Sequence, residues 1–122
     1  MNPRFLEAFN EILAHDLDRA MLLTLLDAGR EVRYEELRKS VGSPKSQSFQ
    51  YALDRLMDHA LVNRRMEPWG EERYKTLLSP SARGMKIARI LDGIATEGKI
   101  PPEFRRELGE ELEVAFRGQA PA

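Results

Sequence analysis

The chain has 122 residues, a formal net charge of −1, 42% hydrophobic and 32% charged side chains, and no cysteine. That length suits one domain with an appended helix around a modest core. The balance is that of a soluble globular protein, and no apolar run reaches the roughly 18 residues of a membrane span. Disulfides, thiolate metal sites and a cysteine nucleophile are excluded outright.

The opening "MNPRFLEAFNEILAHDLDRA" is acidic and amphipathic, whereas a secretory signal is basic and then continuously apolar, so a cytoplasmic protein is expected. Within it, "PRFLEAFNEILA" sets Phe5, Leu6, Phe9, Ile12 and Leu13 on one helical stripe behind Pro3. "DLDRAMLLTLLDAG" predicts a second helix with Asp16 as its cap, apolar through Met21, Leu22, Leu25 and Leu26, and stopped by Gly29. "EVRYEELRKSVG" gives a short extended piece and a helix of about two turns with Leu37 and Val41 inward. Ser43 and Pro44 suit the cap and first position of the next helix, which carries Phe49, Ala52, Leu53, Leu56, Met57 and Ala60 at helical spacing.

Two extended runs follow, "LVNRRME" and "ERYKTLL", joined across "PWGE", whose Pro68 and Gly70 supply turn chemistry. Strand alternation separates Val62, Arg64 and Met66 from Asn63 and Arg65, and Arg73 and Lys75 from Tyr74 and Thr76, which predicts one basic hairpin face. Trp69 is expected to cap the apolar side of the hairpin. "SPSARGMKIARILDGIA" restarts a helix with Ser79 as cap and Pro80 first, and Met85, Ala88 and Leu91 on its stripe. After "TEGKI", "PPEFRRELGEELEVAFRG" places Phe104, Leu108, Leu112, Ala115 and Phe116 on one seam of a highly charged helix over 101–117.

The near-zero net charge hides an uneven distribution. Residues 1–32 hold three basic and six acidic side chains, residues 66–122 nine and ten, and residues 33–65 seven and four. The positive middle segment contains "SPKSQSFQYALDRLMDHALVNRR", whose helix leaves Lys45, Ser46, Gln47, Ser48, Gln50, Tyr51 and Arg55 off the apolar stripe. Such side chains either solvate a surface or read base edges.

Catalysis finds little support. His15 and His59 are far apart and outside metal-ligand spacing. "SVGSPKS" lacks the first glycine and the Gly-Lys pair of a phosphate loop. The acidic pairs Glu35/Glu36 and Glu110/Glu111 are adjacent in sequence and so do not share a helix face. No enzyme activity, cofactor or metal is expected.

The order helix, helix, short strand, helix, turn, helix, strand, turn, strand, helix resembles a winged helix-turn-helix, in particular the MarR-like and HxlR-like transcriptional regulators. The resemblance rests on "YEELRKSVG", "SPKSQSFQYALDRLMDHALVNRR", the hairpin and "YKTLLSPSARG", and covers roughly residues 16 to 92. The sequence departs from those families at Ala60, where glycine is usual before "LV", and at Gly84, which comes later than usual after Ser79. The implied class is mainly α with a small β-hairpin (α+β): a winged helix domain over 16–95, flanked by an N-terminal helix over 1–15 and a C-terminal helix over 101–117.

The resemblance implies a sequence-specific regulator of double-stranded DNA. Its recognition helix would present Lys45, Ser46, Gln47, Ser48, Gln50, Tyr51 and Arg55, with the glutamines and serines suited to base edges and Lys45 and Arg55 to phosphates. Its wing would bring Arg64, Arg65, Arg73 and Lys75 to the minor groove. The terminal helices, with Phe5, Phe9, Ile12 and Leu13 at one end and Phe104, Leu108, Leu112 and Phe116 at the other, exceed what a domain of this size needs and are expected to form a homodimer. The alternative is a winged-helix protein-interaction module in a larger assembly. Neither operator nor small-molecule effector is readable.

Overall fold

The computed structural model describes residues 3–98 and the isolated position 102; the expected C-terminal seam of Phe104, Leu108, Leu112 and Phe116 lies outside the described residues. Five helices and three strands follow in the order α1 (Pro3–Ala14), α2 (Asp16–Ala28), β1 (Val32–Arg33), α3 (Tyr34–Ser40), α4 (Ser46–Asp58), β2 (Val62–Pro68), β3 (Tyr74–Pro80) and α5 (Ala82–Glu97). The strands form one antiparallel sheet in the order β1-β3-β2. This is the winged helix expected from the sequence: α2, α3 and α4 around a helix-turn-helix, a hairpin wing, and a helix packed behind it.

One core holds these elements together. Met21, Leu22 and Leu25 of α2, Leu37 of α3, Phe49, Ala52, Leu53 and Leu56 of α4, Leu61, Val62 and Leu78 at the sheet, and Ile87, Ala88 and Ile90 of α5 are all buried in it. Each large side chain so placed contributes about 1.5–3 kcal/mol through removal of apolar surface from water. The same core takes in Phe5, Ala8, Phe9 and Ile12 of α1. The expected dimer stripe of α1 is corrected here, since Phe5, Phe9 and Ile12 are covered by the chain's own helices and only Leu13, 37% exposed, remains outside. The physical reason is the corner between α1 and α2. The apolar face of α1 turns back onto the domain there and buries Phe5, Ala8, Phe9 and Ile12, while Arg19 donates to the Leu13 carbonyl and the Asp16 carboxylate at the corner.

Three helix starts differ from the sequence expectation. Asp16 is the first residue of α2 rather than its cap. Ser43, with φ 51°, is in left-handed backbone that closes α3 by donating its N–H to the Arg38 carbonyl at 2.9 Å, so α4 begins at Ser46. Ser79 and Pro80 complete β3, and Ser81 caps α5 by accepting the Gly84 N–H at 3.0 Å while donating to the Ala60 carbonyl at 2.6 Å. The sequence expectation of Ser79 as cap fails because strand pairing takes up Ser79 and Pro80.

Candidate nucleic-acid interface

The turn between α3 and α4 brings the two helices into contact without using the outer face of α4. Tyr34 meets Phe49 edge-on, ring centroids 4.8 Å apart, an arrangement favoured by the ring quadrupoles. With Phe49, Leu53 and Leu56 turned to the core, Lys45, Ser46, Gln47, Ser48 and Tyr51 stand exposed along the first two turns. Gln47 Nε2 donates to Tyr51 Oη at 2.8 Å, pairing two exposed side chains one turn apart.

The other two members expected on this face are engaged elsewhere. Gln50 is half-buried: its Oε1 accepts the Tyr34 hydroxyl at 3.1 Å and its Nε2 donates to Asp54 at 2.8 Å. Both ends of its amide are thus committed, the oxygen tying α4 to Tyr34 of α3 and the nitrogen held by Asp54 one turn along α4, which corrects its expected role as a free base reader. Burial raises the Tyr34 hydroxyl above its ordinary pKa, and Glu35 adds to that shift. The hydroxyl therefore stays a proton donor to Gln50 through the neutral range. Arg55 is corrected as well. Its Nε and Nη2 donate to the two oxygens of Asp18 at 3.0 and 2.8 Å, and Asp18 is fully buried in α2. Its hydrogen bonds to Asp18 raise the arginine further above its already high pKa, so the guanidinium stays charged.

The wing is organised by its register, in which Val62 faces Pro80, Arg64 faces Leu78, Arg65 faces Leu77, Glu67 faces Lys75 and Pro68 faces Tyr74. Cross-strand partners share a face, so Arg64 lies with Val62 and Met66, while Arg65 and Lys75 lie on the opposite face with Glu67. The single basic face is therefore not formed. Arg65 instead grips Glu31 through Nε and Nη2 at 2.9 and 2.7 Å and approaches Glu67 at 3.8 Å, and Lys75 Nζ is 3.5 Å from Glu67. The Arg65 hydrogen bonds hold the Glu31 carboxyl below the usual range. Arg64 and Arg73 make no ion pair among the described residues, which leaves them and Lys45 as the open cations of the expected set.

At the tip the hairpin closes with the Trp69 N–H donating to the Arg73 carbonyl at 2.7 Å. Trp69 is 55% exposed, with the Arg33 guanidinium 5.2 Å from its ring centre, so it is a tip residue under a cation rather than a cap on an apolar face. Met66 and Tyr74, 56% and 64% exposed, continue an apolar surface along the wing. Sequence reasoning missed Arg33, Glu31 and Asp18, each of which acts on a candidate residue more than thirty positions away.

Elsewhere among the described residues no group of three or more histidine and carboxylate side chains could hold a metal ion, and no helix is long and apolar enough to cross a membrane. A largely apolar cavity of about 260 Å³ opens between α2, β3 and α5, lined by Leu25, Leu26, Pro80 and Met85 with Arg30 and Glu31 at its rim.

Helix-turn-helix, three-stranded wing and packed fifth helix define a winged-helix fold. A crystal structure of NadR in complex with 4-hydroxyphenylacetate superposes with a TM-score of 0.61 at 20% identity, over 94% of this chain and 77% of that one. At that identity the likeness is one of fold, and it does not single out an HxlR-like member. No family model and no curated protein matches the sequence.

Proposed function

We propose that the protein is a cytoplasmic, sequence-specific double-stranded DNA-binding transcriptional regulator that acts as a homodimer and catalyses nothing. The observation that carries this reading is the exposed row Lys45, Ser46, Gln47, Ser48 and Tyr51 on the first half of α4, set on a helix whose opposite face is locked in the core. A recognition helix contacts base edges from its N-terminal residues, and serine and glutamine are suited to both donor and acceptor edges.

The test is selection of bound fragments from genomic DNA, followed by titration of the selected duplex with salt. Counterion release falls on log affinity with a slope of about −0.9 per phosphate contact, so Lys45, Arg64 and Arg73 together give about −3 per protomer. Absence of any enriched fragment and a flat salt dependence would sink the reading.

A small-molecule effector belongs to the same proposal. NadR was crystallised with 4-hydroxyphenylacetate, and the cavity beside Leu25 and Met85 has room for a single-ring compound. A higher thermal midpoint with that acid, lost on Met85→Trp, supports the assignment, and no shift at millimolar ligand removes it.

One observation favours a second reading, a protein-interaction module. Met66, Trp69 and Tyr74 expose apolar surface on a wing whose tip carries Glu67, Glu71 and Glu72 and whose Arg65 and Lys75 are neutralised internally. Such a module has no steep salt dependence toward duplex DNA.

A further inference from the structure

Asp18 is the sole charged residue in the described core. Taking the Asp18 carboxylate out of water costs several kcal/mol even with the 32% exposed Arg55 beside it, and replacing such a pair by apolar residues of similar volume is often neutral or stabilising. Stability is therefore a poor explanation for its presence. What the pair supplies is direction: two parallel N–H to oxygen bonds fix a guanidinium in one plane, whereas the contacts of Phe49, Leu53 and Leu56 constrain only how closely the helix packs.

The position of Arg55 on α4 makes that direction matter. Ser48, Tyr51 and Arg55 follow at spacings of three and four, so they lie along one line of the helix, beside the apolar line and not within it. Tying the end of that line to α2 sets the roll of α4 about its own axis, and so where Ser48 and Tyr51 point. Gln50, through Tyr34, ties the helix to α3 nearer its start. The helix is thereby pinned at two levels by polar bonds of defined geometry.

We propose that Asp18 is a positioning residue that fixes the roll of α4 through Arg55, so that its loss costs discrimination between DNA sequences more than affinity for DNA. This rests on the DNA-reading role proposed above, whose failure shows separately.

The experiment compares the full chain with Asp18→Asn, Arg55→Lys and the apolar pair Asp18→Leu with Arg55→Leu, on a selected duplex and a scrambled one. In each folded variant the ratio of the two affinities should fall about tenfold, the size of one mismatched base pair, while affinity for the scrambled duplex holds within about twofold. The apolar pair guards against simple unfolding, since it removes both charges together, whereas Asp18→Asn leaves the Arg55 guanidinium without its carboxylate. An unchanged ratio in the folded apolar pair overturns the proposal. So does equal weakening on both duplexes in the pair when Arg55→Lys binds as the wild type, which marks Arg55 as a phosphate contact.

A second readout needs no DNA. The chain has no cysteine, so spin labels on Ala20→Cys in α2 and Ser48→Cys in α4 report one distance. A single narrow distribution in the parent that broadens or shifts in the apolar pair is expected, and an unchanged distribution overturns the proposal even if the parent binds no duplex at all.

Discussion

At the scale of single residues, two backbone positions beside the wing carry opposite expectations. Gly84 lies in the first turn of α5 against the start of β2: a methyl group there would overlap the Leu61 carbonyl oxygen and come within 2.9 Å of its carbon. Those are backbone atoms and cannot turn aside, so Gly84→Ala must lever α5 away from the sheet. A loss of about 1–3 kcal/mol, read as a lower urea midpoint, is expected from such overpacking. Ala60 is the reverse case. It closes α4 with φ 56°, a left-handed conformation that glycine adopts freely and a Cβ disfavours. Its side chain is exposed and its carbonyl already serves Ser81. Ala60→Gly should therefore stabilise by roughly 0.5–1 kcal/mol, the relief of strain exceeding the added entropy of the unfolded chain. A drop in thermal midpoint would show that the turn is not strained.

These two positions also show what could be read from the sequence and what could not. Both stood out beforehand, Ala60 for lacking the usual glycine and Gly84 for its late arrival after Ser79. The structure explains the second: the cap is Ser81, three residues before Gly84, because Ser79 and Pro80 are taken up by pairing with Asn63 and Val62. Strand pairing is non-local and no cap rule contains it. The same limit applies to Arg55, which sat correctly off the apolar stripe of α4 yet meets a carboxylate 37 residues away. Helical periodicity reports which face a side chain occupies, not what another element places opposite it.

At the scale of elements, α4 and the wing make separable claims. On α4 the two glutamines, indistinguishable in the sequence, should now behave differently. Gln47→Ala removes an exposed amide and is expected to relax base preference by about 1–3 kcal/mol at one position while leaving stability unchanged. Gln50→Ala instead leaves Tyr34 and Asp54 without their shared partner, and is expected to lower stability by about 1–3 kcal/mol. A chemical denaturation curve for each variant, with binding to a permuted set of duplexes, decides whether that division holds. Equal stability loss in both would mean the α3–α4 bond network does not hold Gln50.

For the wing, register reduces four expected cations to two. Arg64→Gln with Arg73→Gln should weaken binding to every duplex and shallow the salt slope by about one unit per lost contact. Arg65→Gln should do much less, because Glu31 already satisfies that guanidinium. Its exposed pair contributes little to stability in any case. A larger slope change from Arg65 than from Arg64 and Arg73 together would show that the Glu31 bond opens on DNA.

At the scale of the whole molecule, the proposed homodimer needs an apolar surface to bury between two chains. α1 was expected to supply apolar surface to a partner, but its stripe closes the chain's own core, and the large apolar side chains exposed on the described helices are only Leu13, Tyr51 and Ile94. The proposed interface therefore rests on the sequence seam of Phe104, Leu108, Leu112 and Phe116. Replacing Leu108 and Leu112 with Glu places two like charges on that seam, and burying them against a symmetry mate would bring four carboxylates into an apolar contact at prohibitive desolvation cost. The double variant should sediment as a monomer and bind a two-half-site duplex no better than a single half-site, while the Arg64 and Arg73 contribution to the salt slope per protomer persists. A double variant that remains dimeric moves the interface away from the seam. A parent that is itself monomeric removes the twofold operator, since two recognition helices one DNA turn apart require two chains.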